Sequence, residues 1–215
     1  MTINTILFDL DGTLVNTNEL IIASFQHTLD QYMPGKYNRE SIIEFIGPPL
    51  TDSFHRVDPE KAEEMIGVYQ KHNKANHNDL IEEYEGVRQT VAELSKQGYK
   101  LAIVTTKRRE TALMGAESAG LLEYFPVVVT FDDVTRVKPD PEPLHLAMEQ
   151  LGAEPEETLM IGDSHYDILG GKNAGVLTAG VAWSIKGEDV LLSYEPDWML
   201  QKMPDLLNHL GVQVT

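Results

Sequence analysis

Short apolar runs punctuate the chain at 5–8 (TILF), 101–104 (LAIV), 127–129 (VVV), 159–161 (LMI) and 176–181 (VLTAGV). Each has the length of a strand buried on both faces, where the alternation of a half-exposed strand disappears. Between them apolar residues recur at helical spacing, as in Val87, Val91 and Leu94 ahead of Gly98, and again from Glu110 to Ala119 ahead of Gly120. Strands alternating with helices predict an α/β protein with a doubly wound, Rossmann-type parallel sheet.

Residues 16–81 break that rhythm, showing helical patterns and no strand. The reading is a small helical insertion after the first strand, with the core made by residues 1–15 and 82–215. Asn16 and Glu19, three apart, predict a capping box for a helix carrying Ile21, Phe25 and Leu29 on one face. That helix should stop near Pro34-Gly35. The turn Gly47-Pro48-Pro49 breaks the insertion again, and a further helix is expected from Pro59 toward His72.

Composition narrows the class. With 42% hydrophobic and 24% charged residues in 215, the chain can bury a sizeable core. Its net charge of −17 argues against nucleic acid or an anionic membrane surface as partner. A small anionic substrate stays open, because a metal ion or a few lysines can reverse the field inside a cleft. Without cysteine there is no disulfide, thiolate zinc site or cysteine nucleophile. No apolar run reaches the length of about 18 residues that a membrane helix needs, and the N-terminus lacks a signal-peptide pattern, so a cytoplasmic location is expected.

The candidate chemistry sits where apolar runs end. Ile6-Leu7-Phe8 leads into Asp9-Leu10-Asp11-Gly12-Thr13, two carboxylates one residue apart at the carboxyl end of a strand, the edge where open α/β sheets bind ligands. A calcium loop counted from Asp9 fails, since its glycine and its bidentate Glu would both be leucines, Leu14 and Leu20. Thr105, Thr106 and Lys107 end a second strand with hydroxyls and N–H groups suited to an anion. Lys138-Pro139-Asp140-Pro141 sets a lysine beside a rigid loop, with Asp140 placed to cap a helix. Gly162-Asp163-Ser164, followed by Asp167, ends another strand, and Asp163 could equally be a helix cap. In a doubly wound sheet these distant strand ends converge, so Asp9, Asp11, Thr105, Lys138 and Asp163 could share an oxygen-rich pocket suited to Mg²⁺. His72 and His77, five apart, do not share a helical face and make a poor zinc pair. Gly171-Lys172-Asn173 lacks the glycine spacing and Ser/Thr of a nucleotide-binding P-loop.

Taken in order, DxDGT, a strand-end Thr, a Lys-Pro segment and GDxxxD resemble the haloacid dehalogenase superfamily of phosphotransferases, over nearly the whole chain. The insertion is similar to the small helical cap of that superfamily's first cap class. The resemblance implies Asp9 as nucleophile and Asp11 as general acid and base, with Gly12 and Thr13 beside them at the substrate. It implies Thr105 and Lys138 as holders of the transferring phosphoryl group. Asp9, the Asp11 carbonyl and Asp163 would bind Mg²⁺, with Asp167 supporting from nearby. The segments NTNELIIASF, FIGPPL, IVTTK, KPDPEP, GKNAG, TAGVAWSIKG and EPDWML carry a narrower resemblance, to the bacterial pyrophosphatases associated with the HPr kinase/phosphorylase. In that family the enzyme removes pyrophosphate released when serine-phosphorylated HPr is dephosphorylated. One local departure is Glu85, where relatives commonly re-enter the core with Tyr-Pro-Gly-Val.

A carboxylate attacking a phosphate meets repulsion, so Mg²⁺ and Lys138 are expected to neutralise charge at the point of attack. A helical cap is expected to keep water out until the second step, with Gly47 and Pro48 in the loop facing the acids. Thr106, Lys107, Lys74 and His77 are candidates for contact with substrate, Lys107 and the last two with a second phosphate. The rivals are a phosphoglycolate phosphatase, a receiver-like signalling module with a persistent aspartyl-phosphate, and a sugar phosphomutase.

Overall fold

The computed structural model describes residues 2–212. Its strands in chain order are β1 (Thr5–Phe8), β2 (Val15–Asn16), β3 (Glu82–Glu83), β4 (Lys100–Val104), β5 (Val127–Val129), β6 (Thr158–Gly162), β7 (Leu177–Val181) and β8 (Trp198–Leu200). Its helices are α1 (Asn18–Tyr32), α2 (Arg39–Ile43), α3 (Leu50–Val57), α4 (Ala62–Ala75), α5 (Val87–Lys96), α6 (Arg109–Ser118), α7 (Glu142–Leu151), α8 (His165–Ala174), α9 (Glu188–Leu192) and α10 (Asp205–His209). These fall into two compact units, Asn16–Glu82 and the rest of the chain.

The larger unit is built on a parallel sheet in the order β5-β4-β1-β6-β7-β8. The four residues of β1 are all fully buried, because the sheet is covered on both faces. Leu7, Ala102 and Met160 pack with Leu144 and Met148 of α7 and Ala174 of α8. The next residue along β1, Phe8, points to the opposite face and meets Phe125 edge-on at 5.8 Å. The order runs outward from β1 in two directions, through β4 to β5 and through β6 to β8. A switch of direction at the sheet centre leaves a crevice beyond the carboxyl ends of the strands, and that crevice is where such folds place ligands.

The smaller unit holds α1 to α4, which pack around Phe25. Its ring lies 5.6 Å from Phe45, 5.2 Å from Phe54 and 4.9 Å from Tyr69. At the ends of this unit Asn16 Nδ2 donates to Glu82 Oε2 at 3.1 Å, within the two-stranded ribbon of β2 and β3.

Two local expectations are corrected. The Asn16–Glu19 capping box is absent: Thr17 is the N-cap of α1, and it makes no side-chain cap bond. Asn16 Oδ1 instead accepts from the Asn18 N–H at 3.3 Å, and both carboxylate oxygens of Glu19 take the guanidinium of Arg39. A two-pronged charged donor outcompetes a single backbone N–H. The helix expected from Pro59 starts at Ala62, behind a turn in which Asp58 Oδ1 accepts the Glu60 and Lys61 N–H groups. No helix among the described residues is long and apolar enough to cross a membrane.

Candidate active site

Three adjacent strands end in chemistry. In register, Phe8 of β1 lies between Ile103 of β4 and Ile161 of β6. The next residue, Asp9, donates its N–H to the Ile161 carbonyl at 2.9 Å, which sets its carboxylate just beyond the strand. Thr105 follows β4 and Asp163 follows β6, so the central three strands deliver all three residues to one edge.

Lys138 joins them from the loop ahead of α7. That loop is held by the Asp140 N–H on the Val137 carbonyl at 2.9 Å, and by Asp140 Oδ1, which accepts the Glu142 N–H at 3.0 Å. The Lys138 ammonium is 3% exposed and donates to Asp9 Oδ1 at 2.8 Å, Asp167 Oδ1 at 2.6 Å and the Val104 carbonyl at 2.7 Å. An ammonium has three protons, and each has a protein acceptor. To reach a phosphoryl oxygen the lysine must exchange one of these partners.

Asp167 is shared between two jobs. Its Oδ1 takes Lys138, while its Oδ2 accepts from the Ser164 N–H at 3.0 Å and hydroxyl at 2.6 Å, closing the capping box of α8. Ser164, not Asp163, is therefore the cap, and the Asp163 carboxylate is left to the cleft. Gly162 accommodates this packing, since a Cβ there would collide with the Asp167 side chain. Gly12 has φ +80, and a Cβ on it would run into the Asp163 carboxylate, so the DxDGT glycine is required by both backbone and contact.

The Asp11 carboxylate is engaged by a different lysine. Its Oδ1 accepts from Lys107 Nζ at 2.7 Å, and Thr105 Oγ1 accepts the Lys107 N–H at 3.2 Å. Thr106 stands half-buried between them in sequence. Thr13 is fully buried, its N–H on the Leu10 carbonyl at 3.4 Å and its hydroxyl without a hydrogen-bond partner among the described residues. Gly47 and Pro48 lie in the smaller unit, in the turn between α2 and α3. Lys74 and His77 belong to the same unit, and His77 is buried.

Ser184, after β7, was not singled out from the sequence. Its hydroxyl donates to the Asp163 carbonyl at 2.6 Å and fixes the backbone that carries the acid. A serine beyond a strand end has no pattern of its own, so only the fold reveals it.

The electrostatics follow from burial. Burial pushes the Asp9 carboxyl up to about 7, and the charges of Asp167 and Asp11 add to this while Lys138 opposes it. Burial also raises Asp163 well above the ordinary carboxylate range, with Asp9 and Asp167 adding and Lys186 and Lys138 opposing. For Lys138 burial disfavours the charge, but Asp167 and Asp9 outweigh it and hold the ammonium protonated. One oxygen each from Asp9, Asp163 and Asp167 lies within 4.8 Å of the others. Buried acids that repel one another around an all-oxygen donor set fit a hard divalent cation.

Comparison with known proteins gives the same picture. The profile of the haloacid dehalogenase-like hydrolases matches residues 6–181. A pyrophosphatase PpaX of Halalkalibacterium halodurans is 62% identical over 99% of each chain. A haloacid dehalogenase-like hydrolase of Streptococcus pneumoniae superposes with a TM-score of 0.86 at 28% identity, covering 96% of this chain and 98% of its own. A protein of Lactobacillus plantarum assigned as a phosphoglycolate phosphatase superposes with a TM-score of 0.87 at 26% identity, covering 97% and 99%.

Proposed function

Because the chain belongs to the haloacid dehalogenase-like hydrolases, we propose that it hydrolyses inorganic pyrophosphate to two phosphates, with Mg²⁺, through a phosphoryl group carried on Asp9. The observation that carries this reading is the meeting of Asp9, Asp163 and Asp167 with the buried Lys138 at the ends of adjacent parallel strands. The choice of pyrophosphate is supported by the 62% identity to the pyrophosphatase PpaX.

Asp9, Asp163 and the Asp11 carbonyl would hold the metal, with Asp167 beside them. When bound, Mg²⁺ supplies the positive charge that lets an anionic nucleophile approach an anionic phosphate. The protein's own groups do the rest. The Asp9 carboxylate attacks phosphorus, a carboxylate O–P bond forms, and the bridging P–O bond breaks with its electron pair on the departing phosphate. Asp11 gives that oxygen a proton, then takes one from the water that hydrolyses the phosphoryl group. Lys138 neutralises charge on Asp9 and on the transferring group, while the Thr105 hydroxyl and the backbone around Thr106 orient it. We assign residues 16–81 the part of a cap over this chemistry, with the Gly47-Pro48 turn as its contact with substrate. By resemblance alone, the pyrophosphate would come from phosphorolysis of serine-phosphorylated HPr in the cytoplasm.

The experiment is phosphate release with Mg²⁺ from pyrophosphate, phosphoglycolate, a hexose phosphate and p-nitrophenyl phosphate in one assay. Pyrophosphate is expected to lead, and Asp9→Asn to abolish release from all four. Preference for phosphoglycolate would move the substrate to the second reading that the Lactobacillus plantarum neighbour supports. Near-normal turnover by Asp9→Asn would remove Asp9 as nucleophile.

A further inference from the structure

The Lys107 ammonium, paired with the Asp11 carboxylate, is used neither by the metal cluster nor by the Lys138 network. Lys107 is fixed by its backbone on both sides, its N–H on Thr105 Oγ1 at 3.2 Å and its carbonyl accepting the Phe131 N–H at 3.0 Å. Its ammonium lies 2.7 Å from Asp11 Oδ1, with the two side chains 13% and 17% exposed. The pair therefore sits at the rim of the buried cluster, where a substrate can still reach it.

The geometry points to Lys107 as the residue that selects a phosphate leaving group, by passing from Asp11 to the distal phosphoryl of the substrate. This rests on the pyrophosphate reading above and deepens it. As general acid, Asp11 must come within about 3 Å of the bridging oxygen. An ammonium in contact with Asp11 is then within about 6 Å of that oxygen, the neighbourhood in which the distal phosphoryl lies. While the cleft is empty, Lys107 holds the Asp11 carboxylate. When pyrophosphate binds, the distal phosphoryl offers Lys107 a more highly charged partner, and the released Asp11 carboxylate takes a proton from solvent water and delivers it to the bridging oxygen as the P–O bond breaks. A phosphate ester with an uncharged leaving group offers no such partner, so Lys107 stays on Asp11 and the acid is less available. Lys138 cannot take this part, because its contacts are with Asp9, Asp167 and the Val104 carbonyl, on the attacking side.

The test is kcat/KM for pyrophosphate and for p-nitrophenyl phosphate, with Mg²⁺, in the wild type, Lys107→Met and Lys107→Arg. We expect Lys107→Met to lower the pyrophosphate value about 100-fold, in line with the loss of one charge-stabilising donor, and to raise the p-nitrophenyl phosphate value a few-fold, because Asp11 is no longer held by the ammonium. Lys107→Arg should restore most of the ratio between the two substrates. A merely structural lysine would lower both substrates in step, and an unchanged ratio in Lys107→Met would overturn the inference while leaving pyrophosphate hydrolysis in place. A wild type that does not hydrolyse pyrophosphate would remove the functional reading, and this inference with it. If Lys107→Met fails to fold, Lys107→Gln asks the same question of the ratio with a more polar neutral side chain.

Discussion

Asp9 carries opposing demands at the scale of a single carboxyl group. The proposed attack on phosphorus needs it ionised, yet burial and the neighbouring acids raise it from 3.8 to about 7 when only Lys138 opposes them. In metal-free protein the folded state then holds a proton that the unfolded chain releases near pH 4. The folded state binds more protons across that window, so this contribution to stability is present below about pH 4 and is lost as pH rises toward 7. Asparagine copies the shape of the neutral acid. In the presence of a chelator, the melting midpoint of Asp9→Asn relative to wild type should therefore be more favourable at pH 8 than at pH 5. A difference that does not grow with pH would mean that Asp9 is already ionised at pH 5.

Among the elements, α8 ties the fold to the chemistry, because its capping box and the Lys138 contact share one carboxylate. Ser164→Ala removes one hydroxyl from that box and should cost about 1 kcal/mol in a urea unfolding curve. Asp167→Asn, which also takes a charge partner from Lys138, should cost more, and equal losses would show that the cap alone matters. The α8 box was only partly legible in the sequence. Asp163 and Ser164 are both good caps, and only the backbone decides between them. The core strands were legible because burial on both faces turns them into unbroken apolar runs such as Thr5–Phe8. The edge strand Trp198–Leu200 was not, being three residues without a period. The short helices Arg39–Ile43 and Leu50–Val57 give too few turns for a helical pattern to stand out. Glu19 misled for another reason: Arg39, twenty residues away, is a stronger partner than the nearby backbone. Among the site residues, Asp9, Asp163 and Lys138 announce themselves as acids and a lysine at the ends of apolar runs or beside prolines. The hold of Ser184 on the Asp163 carbonyl depends on two strands lying side by side, which nothing local encodes.

For the molecule as a whole, a chain of net charge −17 also carries a buried cluster of three acids that fits a cation. Binding there should stabilise the larger unit, since a ligand of the folded state at a hundred times its dissociation constant adds about 2.7 kcal/mol. Mg²⁺ is thus expected to raise the melting midpoint of the wild type at pH 8, and to do so much less in Asp9→Asn, as scanning calorimetry would read. An equal rise in both would place the cation elsewhere. The chain also leaves and re-enters the larger unit through β2 and β3, whose Asn16 and Glu82 side chains are hydrogen-bonded to each other. An insert whose two ends are neighbours can be exchanged as a cassette: any replacement with ends equally close can be spliced in without lengthening or shifting a single strand of the sheet. Divergence can then act on the insert while every strand of the sheet keeps its place.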